Sequence, residues 1–191
     1  MHSEHLKGTV EKEIICKPNT DEGLEVHFDS CFAGSYDRTN AEESASVCSR
    51  TGFNIKCANC PITWKSKLQT RIAVSTTETQ CIVLLTDLLE TALLMQLQRE
   101  TCIVMKIEHC SKSMKCTVFE DNNGAVETAN APKISAITKQ TSIKCHHFRT
   151  CVSKGDIKLI KFETSQLKAD FLTKLLHLPL ICYLRGKVLG W

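Results

Sequence analysis

The sequence lacks any long apolar run. Its longest stretches, Ile82 to Leu85 and Leu178 to Leu184, fall far short of the ~20 residues that cross a bilayer. The opening residues, Met1-His2-Ser3-Glu4-His5-Leu6-Lys7, are polar and hold no apolar region of a secretory signal. A soluble intracellular protein with no membrane partner is expected. An excess of one charge is missing too. With 24 Lys and Arg against 21 Asp and Glu, the net charge is +3, so any electrostatic preference must lie in the distribution. Internal repeats and low-complexity segments are absent. The 12 cysteines follow no regular framework and are scattered through periodic apolar segments, which argues against a secreted disulfide scaffold. Free thiols packed as small hydrophobes are expected instead.

What is present suits one domain with a real core: 191 residues, 42% of them hydrophobic. Residues 1–23 are charged and aperiodic, and read as a linker or the trailing end of an upstream domain. From Leu24 the chain alternates, with Val26, Phe28 and Ser30 on one side and His27, Asp29 and Cys31 on the other. A second strand is expected from about Ser46 to Ala58, broken by Asn59-Cys60-Pro61, and a short third over Ile62 to Lys65. Ser75 to about Glu100 is a largely buried helix, with Ile82, Leu85, Leu89 and Ala92 on one face and Leu84, Leu88 and Met95 widening it. A strand over Cys116–Asp121 follows, then helix at 125–129, a basic helical segment at 139–154, a strand over Ile157–Phe162 and a last helix over Leu167–Leu176. The domain spans 24–176, and 177–191 is left as a C-terminal tail. The order gives an α/β class with a mixed sheet.

Four acids stand out, each on a different element. Asp29 interrupts an apolar strand, where Asp is disfavoured and a buried carboxylate needs a partner. Asp121 ends another strand, Glu78 opens the long helix and Asp170 opens the last one. Brought together, such carboxylates repel unless cations neutralise them, and hard divalent ions with oxygen ligands do so. Each acid also has a plain structural reading. Ser75-Thr76-Thr77-Glu78 fits a capping box, Asp170 complements a helix dipole, and Asp121 caps a helix. Cys57-Ala58-Asn59-Cys60 has zinc-like spacing that Cys145-His146-His147 would complete, though a strand end with two buried thiols fits better. Lys133, Lys139, Lys144, Arg149, Lys154, Lys158 and Lys161 form a basic stretch with Asp156 as its one acid, either a phosphate-binding stripe or a solvated helix face. Trp64 and Phe148 read as core.

The pieces around those acids resemble the ribonuclease H region of copia-type retrotransposon Pol polyproteins. They are Phe28-Asp29-Ser30-Cys31-Phe32-Ala33-Gly34, Ser49-Arg50-Thr51-Gly52-Phe53, Trp64-Lys65-Ser66-Lys67-Leu68-Gln69, Ser75-Thr76-Thr77-Glu78, Glu120-Asp121-Asn122-Asn123-Gly124-Ala125, Ile143 to Arg149, and Gln166-Leu167-Lys168-Ala169-Asp170-Phe171-Leu172-Thr173-Lys174. The resemblance implies a ribonuclease H-like fold, a five-stranded mixed sheet flanked by helices. It also implies that Asp29, Glu78, Asp121 and Asp170 are catalytic and hold Mg²⁺ or Mn²⁺, two ions in all. Lys139, Lys144, Arg149 and Lys154 would meet nucleic acid. The implied partners are an RNA–DNA hybrid and the reverse transcriptase region of the same polyprotein, to whose trailing end 1–23 would belong. The implied setting is a cytoplasmic virus-like particle, or the nucleus. Departures occur where the family tends to have tyrosine and this chain has Cys57, Cys81 and Cys145, and where Gln80, Gln140 and Leu175 stand. They read as drift and keep three alternatives open. One is a remnant that folds and binds nucleic acid without cutting, another an integrase-type enzyme, and the third a zinc-binding interaction module.

Overall fold

The computed structural model describes residues 11–19, 21–32, 48–70, 76–106, 115–123, 126–127, 146, 149–163, 166–174 and 176–190; in the long helix, side chains are described from Leu88 onward. Strands β1 (Leu24–Cys31), β2 (Arg50–Cys57) and β3 (Cys60–Leu68) precede helix α1 (Thr76–Val104). Strands β4 (Cys116–Glu120) and β5 (Ile157–Lys161) and helices α2 (Asp170–Thr173) and α3 (Leu178–Leu189) follow. The sheet order is β3-β2-β1-β4-β5, antiparallel through the first three strands and parallel from β1 through β4 to β5. The expected α/β class with a mixed five-stranded sheet and flanking helices is borne out.

The alternation in β1 sorts the two faces of the sheet. Leu24, Val26 and Phe28 join Phe53, Ile55, Val118 and Ile157 beneath Leu88 and Met95 of α1. Each large side chain fully buried there contributes about 1.5–3 kcal/mol. The other face carries Glu25, His27 and Asp29 of β1, with Gly52, Asn54 and Lys56 of β2, and α2 packs against both strands. This second face is unusually polar for a buried surface: His27, Asp29, Asn54 and Lys56 are all buried. His27 stacks on Phe119 at 4.5 Å, so its ring is held as part of an aromatic layer.

Five local expectations are corrected. Asn59-Cys60-Pro61 does not break the chain between strands. The turn is Ala58-Asn59, both at positive φ (47° and 64°), the geometry of a two-residue hairpin loop. Pro61 sits within β3, an edge strand at a register shift, where its missing N–H costs little. Trp64 is not core; on that edge strand it is 45% exposed. The long helix is buried along Leu88, Thr91, Met95 and Cys102, but Leu93, Leu97, Ile103 and Val104 lie exposed. The last expected helix is only the turn Asp170–Thr173, because Lys174 leaves in extended conformation (φ −115°, ψ 151°). Segment 177–191, read from sequence as a tail, instead carries α3, with Pro179 in its first turn and Leu184 and Val188 buried.

Candidate metal centre

Asp29 is 1% exposed on β1, and its register partner on β2 is Gly52. A methyl group at Gly52 would lie 2.7 Å from Thr173 Cγ2 and 2.8 Å from Leu172 Cβ. The absent side chain therefore lets α2 lie on the strand pair, which brings Asp170 to Asp29. The parallel register of β1 with β4 pairs His27 with Phe119, and two residues further it sets Asp29 level with Asp121. Carboxylate oxygens of Asp29, Asp121 and Asp170 thus all lie within 4.8 Å of one another.

Three carboxylates this close need positive charge among them. Lys174 supplies some: its Nζ lies 2.7 Å from Oδ1 of Asp170 and 3.4 Å from Oδ1 of Asp29. Thr173 Oγ1 donates to Oδ2 of Asp29. Burial, and then the charges of Asp29 and Asp121 against the bond from Lys174, push the Asp170 carboxyl up to about 6. Burial alone would lower Lys174, but the charge of Asp29, with the bond and charge of Asp170, raises it. The donor set is entirely oxygen and anionic, and an ammonium already sits against two of its members. Both features fit a hard divalent ion such as Mg²⁺ or Mn²⁺.

Sequence reasoning missed three contributors. Lys174 follows Asp170 by four residues, a spacing that signals a pair, yet its reach to Asp29 depends on the fold. Thr173 and Gly52 carry no signal of their own. Glu120, next to Asp121 at the end of β4, is wholly buried and accepts the N–H of Asn122 at 3.1 Å. Its burial, together with the charges of Asp121 and Asp29, pushes it up to about 8, so it holds a proton at neutral pH.

Of the four acids expected at the centre, the structure brings Asp29, Asp121 and Asp170 together. Glu78 lies in the first turn of α1, and its carboxylate falls outside the described side chains. Of the expected nucleic-acid contacts, Lys139 and Lys144 lie outside the described residues; Arg149 is half-buried and Lys154 exposed, at either end of a short helical stretch. Asp156, the acid of that basic stretch, pairs with Arg99 at 3.2 Å.

Cys57 and Cys60 flank the hairpin turn, both half-buried and unbridged. Cys16 lies against Cys60, yet among the described residues these thiols do not reach metal-ligand spacing, and the acid trio is the one cluster that does. Cys81 falls outside the described side chains; Cys145, His147 and Phe148 lie outside the described residues. Among the described residues no helix is long and apolar enough to cross a membrane.

No protein-family model matches the chain. It is similar to the retrovirus-related Pol polyprotein from transposon TNT 1-94 of Nicotiana tabacum, 27% identical over 170 residues, covering 89% of this chain and 12% of the relative. The Pol polyprotein from transposon RE2 of Arabidopsis thaliana is 25% identical, covering 89% of this chain and 11% of the relative. The chain thus spans about an eighth of the length of these curated relatives. Solved structures that resemble it include LC11-RNase H1, isolated from compost, with TM-score 0.48 and 14% identity over 80% of this chain and 93% of that one. RNase H1 from the archaeon Halobacterium salinarum NRC-1 has TM-score 0.46 and 10% identity over 78% and 93%. The resemblance to transposon Pol polyproteins drawn from the motifs is borne out.

Proposed function

From this chain's kinship with the Pol polyproteins of copia-type retrotransposons, we propose that it is a ribonuclease H-like domain that hydrolyses the RNA strand of RNA–DNA hybrids. The observation that carries the reading is the meeting of Asp29, Asp121 and Asp170 within 4.8 Å on one sheet face. Asp29 lies on β1 and Asp121 directly follows β4, its parallel neighbour, while Asp170 closes the centre from α2. Glu78 is the fourth acid of the proposal. Mg²⁺ or Mn²⁺ held by these acids, two ions in all, would supply an activated water and neutralise charge at the scissile phosphodiester.

The remaining roles belong to the chain's own residues. Thr173 fixes one oxygen of Asp29 by its hydroxyl, leaving the other to meet a cation. Lys174 keeps the acids close when no other cation is present. Lys139, Lys144, Arg149 and Lys154 hold phosphates of the hybrid, and 2′-hydroxyl contacts separate RNA from DNA. In the polyprotein the partner would be the reverse transcriptase region, acting in a virus-like particle in the cytoplasm or in the nucleus. The purified chain is tested on a labelled hybrid with Mg²⁺ or Mn²⁺ and on the same sequence as duplex DNA. Metal-dependent cutting of RNA alone supports the proposal; binding without cutting in either metal supports a remnant.

A further inference from the structure

On the same sheet face as the acids, but toward the start of β1, the structure holds a cavity of about 490 Å³. Glu25 at its wall is four residues from Asp29, about 13 Å along the strand. The cavity lies between β1 and β2 on one side and α3 with the segment near Ile15 on the other. Its construction is specific. Gly190, at φ 89°, caps α3 where a side chain would strike Ile15 at 2.6 Å, and Ile15 N donates to Leu189 O at 2.9 Å. The N-terminal segment is thereby fastened across the end of α3 and forms one wall.

Four lysines line this space, Lys17, Lys56, Lys168 and Lys187, against two acids, Glu22 and Glu25. Lys56 is 2% exposed; its ammonium donates to Oδ1 of Asn59 and to the carbonyl of Lys187 at 3.2 Å, with Glu25 and Glu22 near enough to favour its charge. Glu25 is committed to Lys168 at 3.2 Å, and Glu22 accepts from Asn19 at 3.0 Å. Burial, and next the positive charge of Lys168, lowers Lys56 from the usual lysine value against the pull of Glu25 and Glu22, so the two ammoniums stand side by side on the cavity wall. Four lysines against two acids give the lining a net positive charge, part of it on the exposed Lys17 and Lys187 at the mouth, and such a lining draws anions. The volume is that of a small-molecule site rather than of a single ion. Phe162 and Tyr183 supply aromatic wall, and Lys187 lies 5.5 Å above the Tyr183 ring.

We propose that this cavity is a second, metal-independent site, which binds a phosphate-bearing ligand of mononucleotide size. The phosphate sits against the adjacent ammoniums of Lys56 and Lys168, with Lys17 and Lys187 at the mouth and the aromatic rings against the remainder. A free nucleotide and a phosphate of a nucleic-acid strand share this chemistry. The site is independent of the acid cluster and of the nuclease reading.

The test is calorimetric titration of the full chain in EDTA with a 5′-mononucleotide, with inorganic phosphate, and with a short RNA–DNA hybrid. Lys17→Gln and Lys187→Gln, both at the mouth, leave the buried wall intact; Lys56→Gln is added if its circular dichroism and melting match wild type. Loss of one charge-assisted contact weakens binding about tenfold or more. Mononucleotide binding that weakens so in Lys17→Gln and Lys187→Gln, but not in Asp29→Asn, is expected. If the hybrid alone binds with that dependence, the phosphate belongs to a strand. Binding of none of the three probes, or binding indifferent to both mouth lysines, overturns the proposal.

Discussion

Lys174 places its ammonium 2.7 Å from Asp170 and thereby holds a positive charge where three carboxylates converge. Its side chain is partly exposed, so removing it should cost about 1–2 kcal/mol, below the figure for a fully buried pair. For a chain of this size that lowers the melting midpoint by about 3–6 °C. Lys174→Met is therefore expected to melt earlier without metal and to gain more than wild type from added Mg²⁺. Equal melting in EDTA and an unchanged response to Mg²⁺ would show that Lys174 does not neutralise the acids.

Gly52 is the second lever. In Gly52→Ala the new methyl meets Leu172 and Thr173 at under 3 Å, so α2 must retreat or strain. Overpacking of this kind costs about 1–3 kcal/mol, read as a lower urea midpoint. Asp170 should move with α2, weakening Mg²⁺ binding as well. A Gly52→Ala protein of wild-type stability and wild-type Mg²⁺ affinity would mean that the close approach of α2 does not build the centre.

The Asp170 carboxyl, held at about 6, sets a pH dependence for metal. Below that value the folded protein keeps a proton that an ion must displace, so apparent affinity falls by up to about tenfold per pH unit. Calorimetric Mg²⁺ titration between pH 5 and 7.5 should show binding strengthen through pH 6. Asp170→Asn should bind more weakly and lose that inflection. A flat profile in the wild type would contradict the crowding of Asp170 by Asp29 and Asp121.

Glu120, beside Asp121, gives stability a pH dependence of its own. Its folded carboxyl stands near 8 against an ordinary value of 4.5. Between those values the native state binds a proton that the unfolded chain has lost, so this group makes stability fall as pH rises. Glu120→Gln keeps the shape and cannot ionise. Its urea midpoint should match wild type near pH 5 and exceed it at pH 9. A Gln variant less stable than wild type at pH 9 would show that the charged form is the one the fold holds.

The strand alternation around Asp29 made the acid's face legible in the sequence, because period-two patterning fixes which residues lie opposite Phe28. The carboxyl end of β4 likewise flagged Asp121. What joined them to Asp170 was not legible. The space at Gly52 exists only through its pairing with Asp29 and the packing of a segment some 120 residues later. The last helix was drawn too long because apolar spacing at Leu167 and Ala169 looks helical, whereas both are buried in irregular chain before α2. α3 had a signal in Leu184 and Val188, one turn apart, that a short terminal segment concealed. Trp64 was misplaced because an aromatic in an alternating strand does not reveal whether that strand lies at the sheet edge.

The proposed chemistry rests on the trio, and one cleavage assay addresses it most directly. Wild-type chain, Asp29→Asn and Asp121→Asn are incubated with an end-labelled RNA–DNA hybrid in Mg²⁺ and in Mn²⁺, and hybrid binding is measured in parallel. Wild type should cut the RNA strand, while both variants should lose cutting and retain binding, since each removes an anionic ligand beside the phosphates with little change of shape. Cleavage that continues undiminished in Asp29→Asn would contradict the metal centre itself.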